Sequence, residues 1–393
     1  MKIRLLLILL ILFTLPSKGQ RLVSVLSEKS MDPAAQFDSV KCEFGPVFDL
    51  DSYKLIVDAA CKMCRRVRFV ALEYRTQDPL GRDVVASGLL AYPEKGRIKG
   101  VIEISPVSKE KQTCGSAKTF TGECLPSMMG YLVLVPDTIG YGSTQDLPLS
   151  FLMCQNVALV SAHFREAAGE YLRSLPEPQK MPDETILFGY SLGASGVLET
   201  AAYYSNHPEY HVKVKTLYLG GGAYDPALTA NSTLAAGEST YLIYPTIVQS
   251  LKYWLQLDLH YDKLFRGRVL EDMDRFTCGK YNIIDLTEEY GTDIYAYLNP
   301  DFFTPRQNDD IRQMMEGLES LRVPSSPLQL KHGTKIYLRA SEEDKHVPIA
   351  STDWLYRQLK DRGFWNVTYF RDKKGDHYDG AIKAFLDLFI MVF

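Results

Sequence analysis

Scarcity narrows the reading of this 393-residue chain before any motif does. Charge of one sign is nearly absent as an excess: 44 Lys and Arg stand against 48 Asp and Glu, leaving −4 at pH 7 and a pI near 6.0. A chain without a basic surplus lacks the electrostatic footprint of a nucleic-acid binder, so no such partner is expected. H-E-x-x-H is missing, as are a Walker loop and a G-x-G-x-x-G opening a helix. The sequence marks of zinc-peptidase, P-loop and dinucleotide chemistry are therefore lacking, and no cofactor or metal is expected. No fixed-period repeat is visible, which argues against solenoids and propellers. Beyond residue 15 no apolar run approaches the ~20 residues that span a bilayer, so the mature chain is expected to hold no transmembrane segment. Histidine is scarce too, with seven in all. That shortens any search for an imidazole base.

What remains is an ordinary globular composition, 46% hydrophobic and 23% charged, with length enough for a large core. The first nineteen residues read differently. Lys2 and Arg4 precede an apolar run from Leu5 to Leu15, and "PSKGQ" offers small residues around a cut after Gly19. This is the pattern of a cleaved secretory signal, implying a secreted or periplasmic protein. All seven cysteines (Cys42, Cys61, Cys64, Cys114, Cys124, Cys154 and Cys278) lie beyond it. In an oxidising compartment their default use is disulfides, and an odd count leaves at least one thiol over. Cys61 and Cys64 form a C-x-x-C, but no second ligand pair accompanies it, so a structural reading is preferred to a redox or zinc one.

From Arg66 onward the chain alternates strands and helices. "RFVALEYRT" and "VVASGLLAY" flank the turn residues Asp78 to Gly81, while "GVIEIS" and "YLVLVP" are the continuous apolar runs of strands buried on both faces. A helix is predicted over about 152–175, then strand "TILFG", a helix over about 192–204, and strand "VKTLYLG". The alternation lapses for over a hundred residues and resumes at "KIYLRA", "VTYF" and a final helix "GAIKAFLDLFI". Such alternation predicts a doubly wound, mostly parallel α/β sheet. Residues 66–225 and 331–393 form its core, 20–65 an N-terminal extension, and 226–330 an inserted helical cap between the sixth and seventh of these strands.

At one strand-to-helix junction stands "ILFGYSLGASG" (186–196), with Ser191 between Gly189 and Gly193. A turn this sharp strains the serine backbone and leaves no room for side chains two residues away, which is why both flanks are glycine. It lifts the hydroxyl clear of the sheet and aims the Leu192 amide at the same spot, where it can stabilise an oxyanion. A serine hydroxyl needs a base. His377, in "KKGDHYDG" after the last strand, fits the expected chain order, while His346 and His332 are rivals; the other four read as helix or surface residues. The acid that orients it should follow the preceding strand, where "RASEEDKHVP" offers Glu342, Glu343 and Asp344; Asp225 in "GGAYDP" is another position. A second oxyanion donor should come from the loop after "GVIEIS". Pro106 has no N–H, so Val107 or Ser108 is expected to supply it.

Together these stretches resemble the α/β-hydrolase superfamily over roughly residues 66 to 393. "YRTQDPLGRDVVASGLLAYP", "GYLVLVPDTIGYG", "GYSLGASG" and "LGGGAYDPALTANS" are similar, more narrowly, to the secretory lipase group. The resemblance implies hydrolysis of carboxylic esters, small-molecule or lipid, by a metal-free triad falling on Ser191, Asp344 and His377, with a lid at the insertion. Asp344 matches its D-x-x-V-P pattern through Val347 and Pro348. Leu192 stands where that group more often has Gln. A serine exopeptidase on the same scaffold, gripping a substrate amine through Glu238, Asp258 or Glu271, is the alternative, and a non-catalytic relative the third reading. Tyr244, Trp254 and Tyr261 are expected either to line an acyl pocket or to form the insertion's own core.

Overall fold

A computed structural model describes residues 19–36, 38, 64–105, 122–237, 239, 241–281, 283–331 and 333–392. The export segment up to residue 18, Val107, Ser108, Cys42, Cys61, Cys114, His332 and Glu238 lie outside them. Among the described residues nine strands form one sheet: β1 (Leu22–Met31), β2 (Val67–Gln77), β3 (Asp83–Pro93), β4 (Val101–Ser105), β5 (Leu132–Pro136), β6 (Glu184–Tyr190), β7 (Lys213–Gly220), β8 (Lys335–Ser341) and β9 (Val367–Asp372). Their spatial order is β1-β2-β3-β5-β4-β6-β7-β8-β9. The pairs from β1 to β5 are antiparallel, and every pair from β5 through β9 is parallel. The apolar runs read as doubly covered strands are so: all five residues of β4 and of β5 are buried.

β1 is an addition to the expected architecture, which held only an extension there. Its side chains are exposed over most of its length, so the strand carries no apolar alternation to betray it. It holds the sheet edge by pairing Leu22 with Tyr74 through Met31 with Val67. Its start is tied to the first long helix by the Arg21 and Leu22 amides, which donate to Glu170 at 3.1 and 2.8 Å. With β1 counted, the insertion falls between β7 and β8.

Seven longer helices matter for the site: α1 (Cys154–Ser174), α2 (Leu192–Asn206), α3 (Pro226–Ala236), α4 (Tyr244–Trp254), α5 (Asp309–Ser320), α6 (Ala350–Asp361) and α7 (His377–Val392). Strand alternation sorts them onto two faces. Leu187, Leu217, Leu219 and Leu338 pack with Val197, Leu198 and Ala201 of α2 and with Leu355 and Leu359 of α6. Their neighbours Phe188 and Tyr218 point the other way, joining Ala384, Leu388 and Val392 of α7. α3, α4 and α5 belong to the insertion. Tyr244 and Trp254 are buried in its apolar cluster, which is continuous with the core around α1. Trp254 also donates its indole N–H to the Leu149 carbonyl at 3.0 Å. Of the two readings of these aromatics, the insertion's own core holds for Tyr244 and Trp254.

The disulfide expectation is not met among the described cysteines: Cys64, Cys124, Cys154 and Cys278 form no bridge with one another. Cys154 opens α1 in an apolar setting, and burial pushes its thiol well above the ordinary range. Compartment chemistry favours bridges only where geometry brings two sulfurs together. No helix among the described residues is long and apolar enough to cross a membrane.

A buried charge network pins α1 and α2 under the sheet. Arg165 of α1 bonds Glu103 of β4, donates to Thr185 at 3.2 Å and to the Pro182 carbonyl at 2.8 Å, while Tyr204 of α2 donates to Glu103 at 2.8 Å. Glu103 and Arg165 are 3% and 6% exposed, so removing one partner strands the other's charge. Arg165→Met is therefore expected to destabilise the fold by about 3–5 kcal/mol, and Arg165→Met with Glu103→Leu by less. Urea melts of both variants check this; an unchanged midpoint for the single substitution contradicts it.

Candidate active site

The turn after β6 takes the strained form its glycines foreshadow. Ser191 has φ 55° and ψ −129°, on the left-handed side where L side chains are rare. A Cβ on Gly189 would lie 2.2 Å from the Gly193 carbonyl oxygen, so only glycine permits the chain to fold back this closely. Two backbone bonds hold the turn. The Ser191 N–H donates to the Gly220 carbonyl at the end of β7 (2.8 Å), and the Ala194 N–H to the Ser191 carbonyl (3.0 Å). Leu192 is the first residue of α2, where the backbone N–H has no intrahelical acceptor and the helix dipole is positive. Gly196 lets α2 press close to the sheet: a Cβ there would sit 2.6 Å from the Ser105 hydroxyl.

His377 opens α7, just past β9, and is 6% exposed. α7 is anchored by Arg339 of β8, which donates to Asp387 at 2.9 Å and to Asp372 at 2.6 Å. Asp344 sits in the loop after β8. Its Oδ1 accepts the backbone N–H groups of His346 and Val347, both at 2.9 Å, which leaves Oδ2 for the imidazole. His377 Nδ1 lies 2.6 Å from Asp344 Oδ2, and His377 Nε2 lies 2.9 Å from Ser191 Oγ. Three residues separated by 33 and 186 positions thus form one hydrogen-bonded chain across the C-terminal edge of the parallel sheet. Ser191 is half-buried, so its hydroxyl can be reached. Beside Leu192 runs a narrow, mostly apolar crevice lined by Ser105, Tyr141, Phe151, Leu152 and Val157.

The other candidates fall elsewhere. Asp225 caps α3 by accepting the Leu228 N–H at 3.0 Å and pairs with Arg322 at 2.8 Å. Glu342 pairs with Arg371, and Glu343 accepts the Gly375 N–H, both clear of the imidazole. Val107, the expected second oxyanion donor, is outside the described residues.

Two residues beside the chain hold positions that the sequence did not reveal. Tyr190, directly before the serine, donates its hydroxyl to the His377 carbonyl at 2.6 Å. Burial, then the Asp344 charge, pushes this phenol far above its ordinary range, so it stays a donor. Gly220 of "LGGGAYD" and Gly380 of "KKGDHYDG" make room for it: a Cβ on Gly220 would meet its ring at 2.6 Å, and one on Gly380 would press on its hydroxyl. Those glycines were the only sequence signal available, and they do not name their occupant. His346, weighed as a rival base, instead stacks on His377, with ring centroids 5.0 Å apart and planes 16° from parallel.

The parallel sheet with its helices on both faces, and a serine raised on a glycine-flanked turn after a central strand, define the α/β-hydrolase fold, and this chain has it. No family model and no curated protein matches the sequence. Solved structures do match. The chain is similar to the rice cell wall degrading esterase LipA from Xanthomonas oryzae at 16% identity, covering 96% of this chain and 97% of that one, with a TM-score of 0.74. It is also similar to Candida antarctica lipase A at 13% identity, covering 82% of this chain and 78% of that one, with a TM-score of 0.58. At these identities the likeness is one of fold.

Burial, and next the neighbouring His377, lower His346 from 6.5 to about 4. The folded state therefore binds fewer protons here than the unfolded chain between those values. This contribution to stability is whole above pH 6.5 and is lost as pH falls toward 4. His346→Phe is expected to flatten that acid-side loss. Thermal midpoints of both proteins across this range test it, and parallel curves contradict it.

Proposed function

We propose that this chain is a serine hydrolase that cleaves carboxylic esters through an acyl-enzyme. The carrying observation is the unbroken chain from Asp344 Oδ2 to His377 Nδ1 (2.6 Å) and from His377 Nε2 to Ser191 Oγ (2.9 Å). His377 Nε2 takes the Ser191 proton as Oγ attacks the ester carbonyl, giving a tetrahedral oxyanion and an imidazolium. Asp344 accepts from Nδ1–H, fixes that tautomer and offsets the new charge; two backbone N–H bonds to its other oxygen keep it aimed. The oxyanion faces the Leu192 N–H at the start of α2, with the Val107 N–H as the second donor. Collapse expels the alkoxide, which leaves as the alcohol with the proton from His377. Water then repeats the cycle on the acyl-Ser191 and releases the acid. No step calls for a cofactor.

Residues 226–330 serve as a cap over this edge; the contact of Tyr241 with His346, at 4.0 Å between ring centroids, supports that role. Export rests on Lys2, Arg4 and the apolar run that follows. Ester chemistry, rather than amide, agrees with the esterase and the lipase among the similar structures.

The test is kinetic. With aryl esters of short and long acyl chains, Ser191→Ala is expected to lower kcat by about 10⁵–10⁶-fold and Asp344→Asn by about 10⁴-fold, with KM little moved. Ser191→Ala turning over at the wild-type rate sinks the proposal. Aminoacyl anilides cleaved as fast as esters redirect it to the peptidase reading.

A further inference from the structure

His346 takes no part in the proton path, yet it lies against it. One contact is the stack on His377 described above. The second is Tyr241, which meets it edge-on with centroids 4.0 Å apart and planes at 72°. The third is Tyr378, T-shaped at 5.5 Å. Tyr241 comes from the insertion between β7 and β8, and its hydroxyl bonds that of Tyr378, the residue after His377. The His346 backbone is fixed as well, because its N–H donates to Asp344. Its ring Nε2 is buried and has no hydrogen-bond partner among the described residues. Polar nitrogens are seldom left so, and a ring held here without a bond at Nε2 is held for its shape.

His377 needs such a shape. Its bond to Asp344 fixes one edge of the imidazole, but the terminal torsion of a histidine is broad, so one bond does not fix the ring plane. Tilt of that plane swings Nε2 away from Ser191 Oγ. A flat neighbour stacked on the face removes the tilt, and a neutral one does so without repelling the imidazolium that forms in the reaction. The groups facing His346 are His377, Asp344, Asp376, Tyr241 and Tyr378; burial and His377 outweigh the two carboxylates and keep it uncharged near neutrality.

We propose that His346 is a positioning residue for His377, a flat spacer wedged between Tyr241 of the insertion and the imidazole that serves Ser191. The proposal rests on the serine-hydrolase reading above. It makes the insertion a structural support of the reacting histidine and not only a cover for substrate.

The experiment compares wild type, His346→Ala, His346→Phe and Tyr241→Ala in the full chain on one short-chain aryl ester, with fluorophosphonate labelling of Ser191 followed alongside. His346→Ala is expected to lower kcat and the labelling rate together by about 10- to 100-fold, since misplacing a reacting group by an ångström costs that much, while KM stays within about threefold. His346→Phe, which keeps the flat ring and lacks the nitrogens, is expected to return to within about threefold of wild type, and Tyr241→Ala to fall between. Wild-type kcat in His346→Ala overturns the proposal. So does His346→Phe as impaired as Ala, because the nitrogens, not the shape, would then matter. If His346→Ala does not fold, His346→Leu, similar in bulk but not planar, replaces it with the same expectation. A Ser191→Ala control separates the two layers. Activity surviving in Ser191→Ala defeats the hydrolase reading itself, whereas its loss there beside an unimpaired His346→Ala defeats only the spacer.

Discussion

The site hangs on one backbone turn. Ser191 is held at φ 55°, a conformation no chain adopts without support, and its neighbours are arranged around that requirement. Gly189 is forced by the Gly193 carbonyl 2.2 Å from where its Cβ would be. The Gly220 carbonyl takes the Ser191 N–H, so β7 must run beside β6 in register to its last residue. Once the turn is made, three consequences follow without further design. The hydroxyl stands clear of the sheet, the start of α2 lies beside it, and Tyr190 is driven to the opposite face, toward His377.

Tyr190 shows how the turn reaches the histidine. Its hydroxyl holds the His377 carbonyl, and its ring fills space that Gly220 and Gly380 leave open. The end of β6 is thereby tied to the first turn of α7 by two adjacent residues, Ser191 through its side chain to the imidazole and Tyr190 to the backbone that carries it. Arg339, bonded to Asp387, fixes the rest of α7 against β8. Support for His377 thus comes from β6, from the loop after β8 and, through Tyr241 and His346, from the insertion.

Much of this was legible from the sequence, for identifiable reasons. β4, β5 and β6 announce themselves as apolar runs because both their faces are covered, and the elbow announces itself because only glycine fits there. Ser191, Asp344 and His377 could be aligned from chain order before any distance was known. What was illegible is of two kinds. β1 is exposed along most of its length, so its pairing with β2 leaves no periodic trace. Tyr190 and His346 act through contacts with residues 187 and 31 positions away, and a lone tyrosine or histidine carries no pattern pointing to such a partner. Bridges are a separate matter. The number of cysteines suggests disulfides, but number does not say which sulfurs meet, and among the described residues Cys154, buried at the start of α1, bridges no other cysteine.

The proposed mechanism requires that Ser191 become covalently acylated. Mixing the protein with excess aryl ester, quenching in acid within the first turnovers, and weighing the proteolytic peptide that contains residues 186–196 would reveal it. The expected peptide is heavier by one acyl group, carried on Ser191 and missing when His377 is replaced by alanine. Steady ester turnover with that peptide unmodified, or with the acyl group on another residue, contradicts it.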